Sequence, residues 1–137
     1  MERLIRFLLS RDDQTHQRGY WIIAAVMKEA GHEVILGGEQ TPLQVAATAA
    51  QEDADLIGYR IMQASPSILV RRLFESMEQH GISNVPVVVG GIIPQREEAE
   101  IRARGVREVF HPLTPLKQIV ERIAVIAAEA RAARDDS

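Results

Sequence analysis

Cysteine is absent from all 137 residues, which excludes disulfides and thiolate-held metal alike. A basic surplus is absent too. The 16 lysines and arginines are outnumbered by 19 aspartates and glutamates, and a net charge of −3 does not suit a general nucleic-acid binder. No apolar run approaches the length of a membrane span. The opening "MERLIRFLLS" carries charges at positions 2, 3 and 6, too many for the core of a signal peptide, so a cytoplasmic location is expected. Neither repeats nor linkers nor low-complexity runs divide the chain. One domain over residues 1–134 is therefore expected, with 135–137 as a disordered tail and "RAARDDS" as a frayed end. What is present is an ordinary soluble balance, 46% hydrophobic and 26% charged.

Five short runs read as buried strands: "RLIRFLL", "HEVILG", "ADLIGYRI", "VPVVVGG" and "VREVF". They are rich in Val, Ile and Leu and do not alternate cleanly, as befits strands covered on both faces. Helical periods lie between them. Ile22, Ile23, Val26, Met27 and Ala30 share one helical face, as do Ile68, Leu69, Leu73 and Met77, with Arg71, Arg72, Glu75 and Glu78 left for solvent. A final helix over about 115–133 keeps Ile119, Val120, Ile123, Ile126 and Ala127 on one side. Gly31, Gly81 and Gly105 stand where helices should stop, and Thr41-Pro42 and Thr114-Pro115 look like helix starts. Alternating strands and helices predict an α/β fold. It is a five-stranded, parallel, doubly wound, flavodoxin-like sheet of order 2-1-3-4-5.

Ligands of such sheets bind outside the carboxyl ends of the strands. That edge holds the loop "RDDQTHQRG" at 11–19, followed along the chain by "GGEQ", "RIMQAS", "GGIIPQ" and "HPLT". A phosphoacceptor receiver needs an aspartate ending the third strand, where this chain has Tyr59, Arg60 and Ile61. A flavin phosphate needs hydroxyls and glycines in the first loop, and Asp12 and Asp13 would repel it. Of Tyr20 and Trp21, just past the loop, one is expected against the sheet and the other in solvent, where it could meet a ligand ring or a partner.

The edge residues resemble the cobalamin-binding modules of the methylmalonyl-CoA mutase type. Those modules have D-x-H-x-x-G in the first loop, S-x-L ending strand three and G-G ending strand four. This chain reads Q-T-H-Q-R-G at 14–19, R-I-M at 60–62 and G-G at 90–91. "HQRGYWIIAAVMKEAGHEV", "QTPLQVAATAAQEDADLIG" and "VPVVVGGIIPQREEAEIRARGVREVFHPLTP" are similar to the family's intervening segments, so the likeness spans roughly residues 3–125.

The resemblance implies that His16 is the lower axial ligand of cobalt in adenosylcobalamin, whose benzimidazole tail threads into the domain beside the sheet. Gln14 stands where the family has the aspartate that hydrogen-bonds the histidine, and Asp13 takes over if the loop is one residue shorter. Thr15, Gly19, Arg60, Met62, Gly90, Gly91, Phe110 and Thr114 complete the expected cofactor contacts, with Gly90 and Gly91 giving the tail close approach to the backbone. Thr114 is equally explained as a helix cap. Arg60 replaces the family's serine, and His111 and Leu113 stand where it often has glycines, so the tail cavity is expected to be narrowed. Arg60 would then pair with Asp12 or Asp13, or reach a tail phosphate.

By the same resemblance the chain is the small, non-catalytic subunit of an acyl-CoA mutase, an isomerase. Its partner is a large acyl-CoA-binding subunit, and it binds neither nucleic acid nor membrane; self-association is left open. Another reading is a cobalamin-type domain that has lost the cofactor and serves as a partner-binding or regulatory module. A methyl-carrying corrinoid protein would bring a helical cap domain before the first strand.

Overall fold

The computed structural model describes residues 4–135. Five strands, β1 (Arg6–Arg11), β2 (Glu33–Glu39), β3 (Leu56–Ile61), β4 (Val87–Gly91) and β5 (Glu108–Phe110), alternate with five helices. The helices are α1 (Arg18–Glu29), α2 (Pro42–Gln51), α3 (Pro66–Gln79), α4 (Gln95–Arg104) and α5 (Leu116–Asp135). Every strand pairing is parallel and the order is β2-β1-β3-β4-β5, as the alternation predicts. Several expected loop residues are strand instead. Arg11, Gly38, Glu39, Arg60, Gly90 and Gly91, which lie in the expected edge loops, all carry ladder pairing, with a bulge at Gly37.

Local chemistry explains the boundaries. Thr41 accepts from the Gln44 amide while the Gln44 side chain accepts from the Thr41 amide, a reciprocal cap with Pro42 at the first turn. Ser65 caps α3 ahead of Pro66 by accepting from the Ile68 amide, without a return bond. Gly31, Gly81 and Gly105 close their helices with φ of 93°, 71° and 127°. Thr114 does not cap α5; its hydroxyl donates to the His111 carbonyl at 2.7 Å and tightens the turn before the helix. α5 runs through Arg131 to Asp135, so most of the segment expected to fray is helical, while residues 136 and 137 lie outside the described ones.

Two cores flank the sheet. On one face Leu8, Ile57, Tyr59, Val87 and Val89 pack against α2, α3 and α4 through Val45, Leu69, Leu73, Met77 and Ile101. On the other, Phe7, Leu9, Leu56 and Val88 pack against α1 and α5 through Tyr20, Ala24, Met27, Ile119 and Ile123. The α1 face differs from expectation. Tyr20, Ala24 and Met27 are buried, whereas Ile22 and Trp21 are exposed. Tyr20 can be buried because its hydroxyl is satisfied, donating to the Leu9 carbonyl and accepting from the Gly38 amide, both at 3.0 Å. Ile68 of α3 is likewise exposed, unlike Leu69, Leu73 and Met77.

Candidate functional site

The two acids that follow β1 do different things. Asp12 accepts backbone hydrogen bonds from Met62, Gln63 and Ala64 at 2.8, 3.0 and 2.8 Å, fastening the β3–α3 loop to the end of β1. Asp13 turns inward and is 1% exposed. Its backbone carbonyl accepts from Arg11 Nε at 2.8 Å, and the Arg11 guanidinium lies over the Tyr20 ring. One carboxylate oxygen, Oδ2, meets His16 Nδ1 at 2.5 Å and accepts from the Thr15 hydroxyl at 2.9 Å and the His16 amide at 3.3 Å. Burial pushes the Asp13 carboxyl up, but the bonds from His16 and Thr15 outweigh it and hold it below the usual carboxylate range.

The position expected for Gln14 as the histidine's partner is therefore filled by Asp13. Gln14 points elsewhere: its amide donates to Glu39 at 3.1 Å and its carbonyl accepts from Gln17. An ionised carboxylate can only accept, so the tautomer inferred from this contact carries its proton on Nδ1. His16 Nε2 then bears the free lone pair on a ring that is 52% exposed. Among the described residues no three His, Cys, Asp or Glu side chains converge as a metal site. A metal at His16 would need its remaining donors from outside these residues.

Beside this loop lies a cavity of about 240 Å³ between the sheet and helices α1 and α5. It follows from strand alternation. Phe7 and Leu9 of β1, Gly58 and Arg60 of β3, and Val88 and Gly90 of β4 share the face beneath α1 and α5, and neither glycine fills its place. Phe110, Ile23, Ile119 and Ile123 make the wall apolar, with Gly19, Met62, Gly91 and Thr114 also lining it. Gly58 was missed in the sequence, as were the apolar walls Phe7, Leu9, Val88, Ile119 and Ile123. A glycine interrupting an otherwise bulky strand was the available signal.

The glycines differ in what requires them. A side chain at Gly58 would strike Phe7 Cζ at 2.7 Å, and one at Gly91, where φ is 110°, would run into the Ile61 carbonyl. At Gly90 a Cβ meets only Phe110, at an ordinary 3.5 Å, and φ is not positive there.

The three bulky residues expected to narrow the cavity all line it, yet about 240 Å³ remains open between them and the sheet. Leu113 is wholly exposed with φ of 73°, and His111 turns to Glu98, Nε2 to Oε1 at 2.6 Å. Arg60 makes no hydrogen bond to Asp12 or Asp13; its Nη1 donates to the His16 carbonyl at 2.8 Å, and the guanidinium packs on Gly19, where a Cβ would clash with it. The structure thus brings Asp13, Thr15, His16, Gly19 and Arg60 together at one end of the cavity, with Met62, Gly90, Gly91, Phe110 and Thr114 along it. Gln14 stays apart.

The donor set and the cavity fit a group that enters between sheet and helices and presents a metal to one histidine. Comparison with known proteins agrees. The family described as "B12 binding domain" matches residues 7–117. The chain is 35% identical over 132 residues to the 2-hydroxyisobutanoyl-CoA mutase small subunit of Aquincola tertiaricarbonis, covering 95% of this chain and 96% of that one. It is 38% identical over 122 residues to the pivalyl-CoA mutase small subunit of Xanthobacter autotrophicus, covering 88% and 82%. A response regulator from Desulfuromonas acetoxidans superposes with a TM-score of 0.69 at 16% identity over 89% of this chain and 95% of its own, a likeness of fold alone. The matched profile, the two small-subunit relatives and the histidine at the cavity mouth lead to one conclusion: this chain belongs to the B12-binding domain family.

Proposed function

We propose that this chain is the cobalamin-binding small subunit of an adenosylcobalamin-dependent acyl-CoA mutase, acting in the cytoplasm with a separate large subunit that binds the acyl-CoA. The observation that carries the reading is the Asp13–His16 contact at the mouth of an apolar cavity. When bound, adenosylcobalamin would supply the radical chemistry for a rearrangement of the carbon skeleton. The chain's own work is to hold and to tune. His16 would offer Nε2 to the cobalt. Asp13 would fix the ring's tautomer and orientation through Nδ1. The cavity takes the nucleotide tail, with Gly90 leaving room along β4 and Met62, Phe110 and Thr114 lining its sides.

The reading of a module that has lost its cofactor rests on a filled cavity, and Arg60, His111 and Leu113 do not fill it. The deciding experiment is a visible-absorption titration with hydroxocobalamin and adenosylcobalamin, run on wild type and His16→Ala. Wild type is expected to convert the spectrum to that of a histidine-ligated cofactor with its own base displaced, and the variant to lose that conversion. An unchanged spectrum with wild type, alone and with the large subunit of an acyl-CoA mutase added, would sink the proposal.

A further inference from the structure

Arg11 and Asp13 each bury a polar atom with no hydrogen-bond partner among the described residues, Nη1 of the guanidinium and Oδ1 of the carboxylate. No bond therefore holds the Asp13 carboxylate from its far side, and its place beside His16 is set by the backbone. That backbone is held from Arg11, whose carbonyl accepts from the Gln40 amide at 3.0 Å and whose Nε donates to the Asp13 carbonyl at 2.8 Å. The guanidinium in turn rests on Tyr20, with Cζ 4.5 Å from the ring centroid. Tyr20 is wholly buried and pinned to two strands, its hydroxyl donating to Leu9 of β1 and accepting from Gly38 of β2. An aromatic face attracts a cation withdrawn from water, so the ring offsets part of what the missing bond at Nη1 costs.

We infer that Tyr20 is a positioning residue for His16, acting through Arg11. The fixed ring carries the guanidinium, the guanidinium holds the Asp13 carbonyl, and the turn so made brings the Asp13 carboxylate to His16 Nδ1. For its purpose this rests on the functional reading above, because only a neutral ring with its proton on Nδ1 offers Nε2 to a metal. Tyr20 does not line the cavity and makes no hydrogen bond with His16, so any influence on the histidine passes through its neighbours. Phenylalanine at this position keeps the aromatic face and loses the two strand bonds, whereas leucine keeps the burial and loses the face as well. The two substitutions separate support of Arg11 from general stabilisation of the sheet.

The test reads the position of the imidazole proton by nitrogen-15 NMR of the cofactor-free protein at about pH 8, above the ordinary imidazole range. Among the signals of four histidines, those of His16 are identified by their loss in His16→Ala. Wild type and Tyr20→Phe are expected to show the proton on Nδ1, and Tyr20→Leu a mixture of the two tautomers. Cobalamin affinity in the leucine variant should fall about 2- to 10-fold, by the share of molecules outside the binding tautomer. A leucine variant that keeps the wild-type tautomer overturns the inference. So does a phenylalanine variant that loses it to the same extent, since the hydroxyl rather than the ring would then set the loop. If circular dichroism shows that Tyr20→Leu does not fold, Arg11→Met decides: a mixture is expected, and an unchanged tautomer overturns the route through Arg11. Wild type with no preference for Nδ1 overturns the inference before any cofactor is added. Wild type that shows the preference and yet binds no corrinoid brings down the functional reading alone.

Discussion

At position 13 a buried carboxylate stays ionised because three donors converge on one of its oxygens. Its folded pKa lies below the unfolded value of about 3.9, so its stabilisation is present above that value and is lost as pH falls through the folded one. Asp13→Asn is expected to cost about 1–3 kcal/mol near neutral pH. The gap from wild type should narrow on acidification, read by urea unfolding at about pH 6 and about pH 3. A gap that stays constant would contradict this account. The sequence made the histidine legible and left its partner open between Gln14 and Asp13. The spacing of a motif says which residues are near, but which one reaches the ring depends on how the loop turns. Here Arg11, holding the Asp13 carbonyl, and Arg60, holding the His16 carbonyl, set that turn. The first is local, two residues apart, but the second joins the end of β3 to the first loop, which no local pattern reveals.

Within β4 two adjacent glycines serve different purposes. Gly91→Ala forces a side chain into a left-handed conformation against the Ile61 carbonyl and should destabilise the fold by about 1–3 kcal/mol. Gly90→Ala meets no such obstacle and removes backbone freedom from the unfolded chain, so it should raise stability by about 0.5 kcal/mol while weakening cobalamin binding. Thermal unfolding and a binding titration on the two variants separate the cases; a destabilised Gly90→Ala would show that the backbone, not the ligand, needs that glycine. Strand identity and helix stops were readable because buried β-branched runs and terminal glycines report directly on local conformation, and the order because strands and helices alternate. The buried face of α1 was not. Its apolar residues run nearly all the way round, and the choice fell to Tyr20, whose hydroxyl finds Leu9 and Gly38 only in the folded sheet.

The molecule as a whole is asymmetric across its sheet. Three helices, α2, α3 and α4, close one face with a continuous core, while α1 and α5 cover the other and enclose the cavity between themselves and the strands. Ligand binding should therefore slow amide hydrogen exchange mainly in α1, α5 and the His16 loop, and leave α3 near its unliganded protection. Uniform slowing in both layers would mean that the two faces open as one unit. The ion pairs of α4 and β5, where Arg102 joins Glu98 to Glu108 and Arg122 adds to Glu108, lie to the side of this division. They fix the β5 edge, from which Phe110 reaches the cavity wall.

Gly90 has one more consequence, for lineages rather than molecules. A position where alanine would fit and stabilise keeps glycine only while something must lie there. Among descendants of this fold freed from their ligand, substitution should come early at 90 and late at 91, where the chain's own geometry still forbids a side chain. Two neighbouring letters would thus record whether a given copy still carries its cargo.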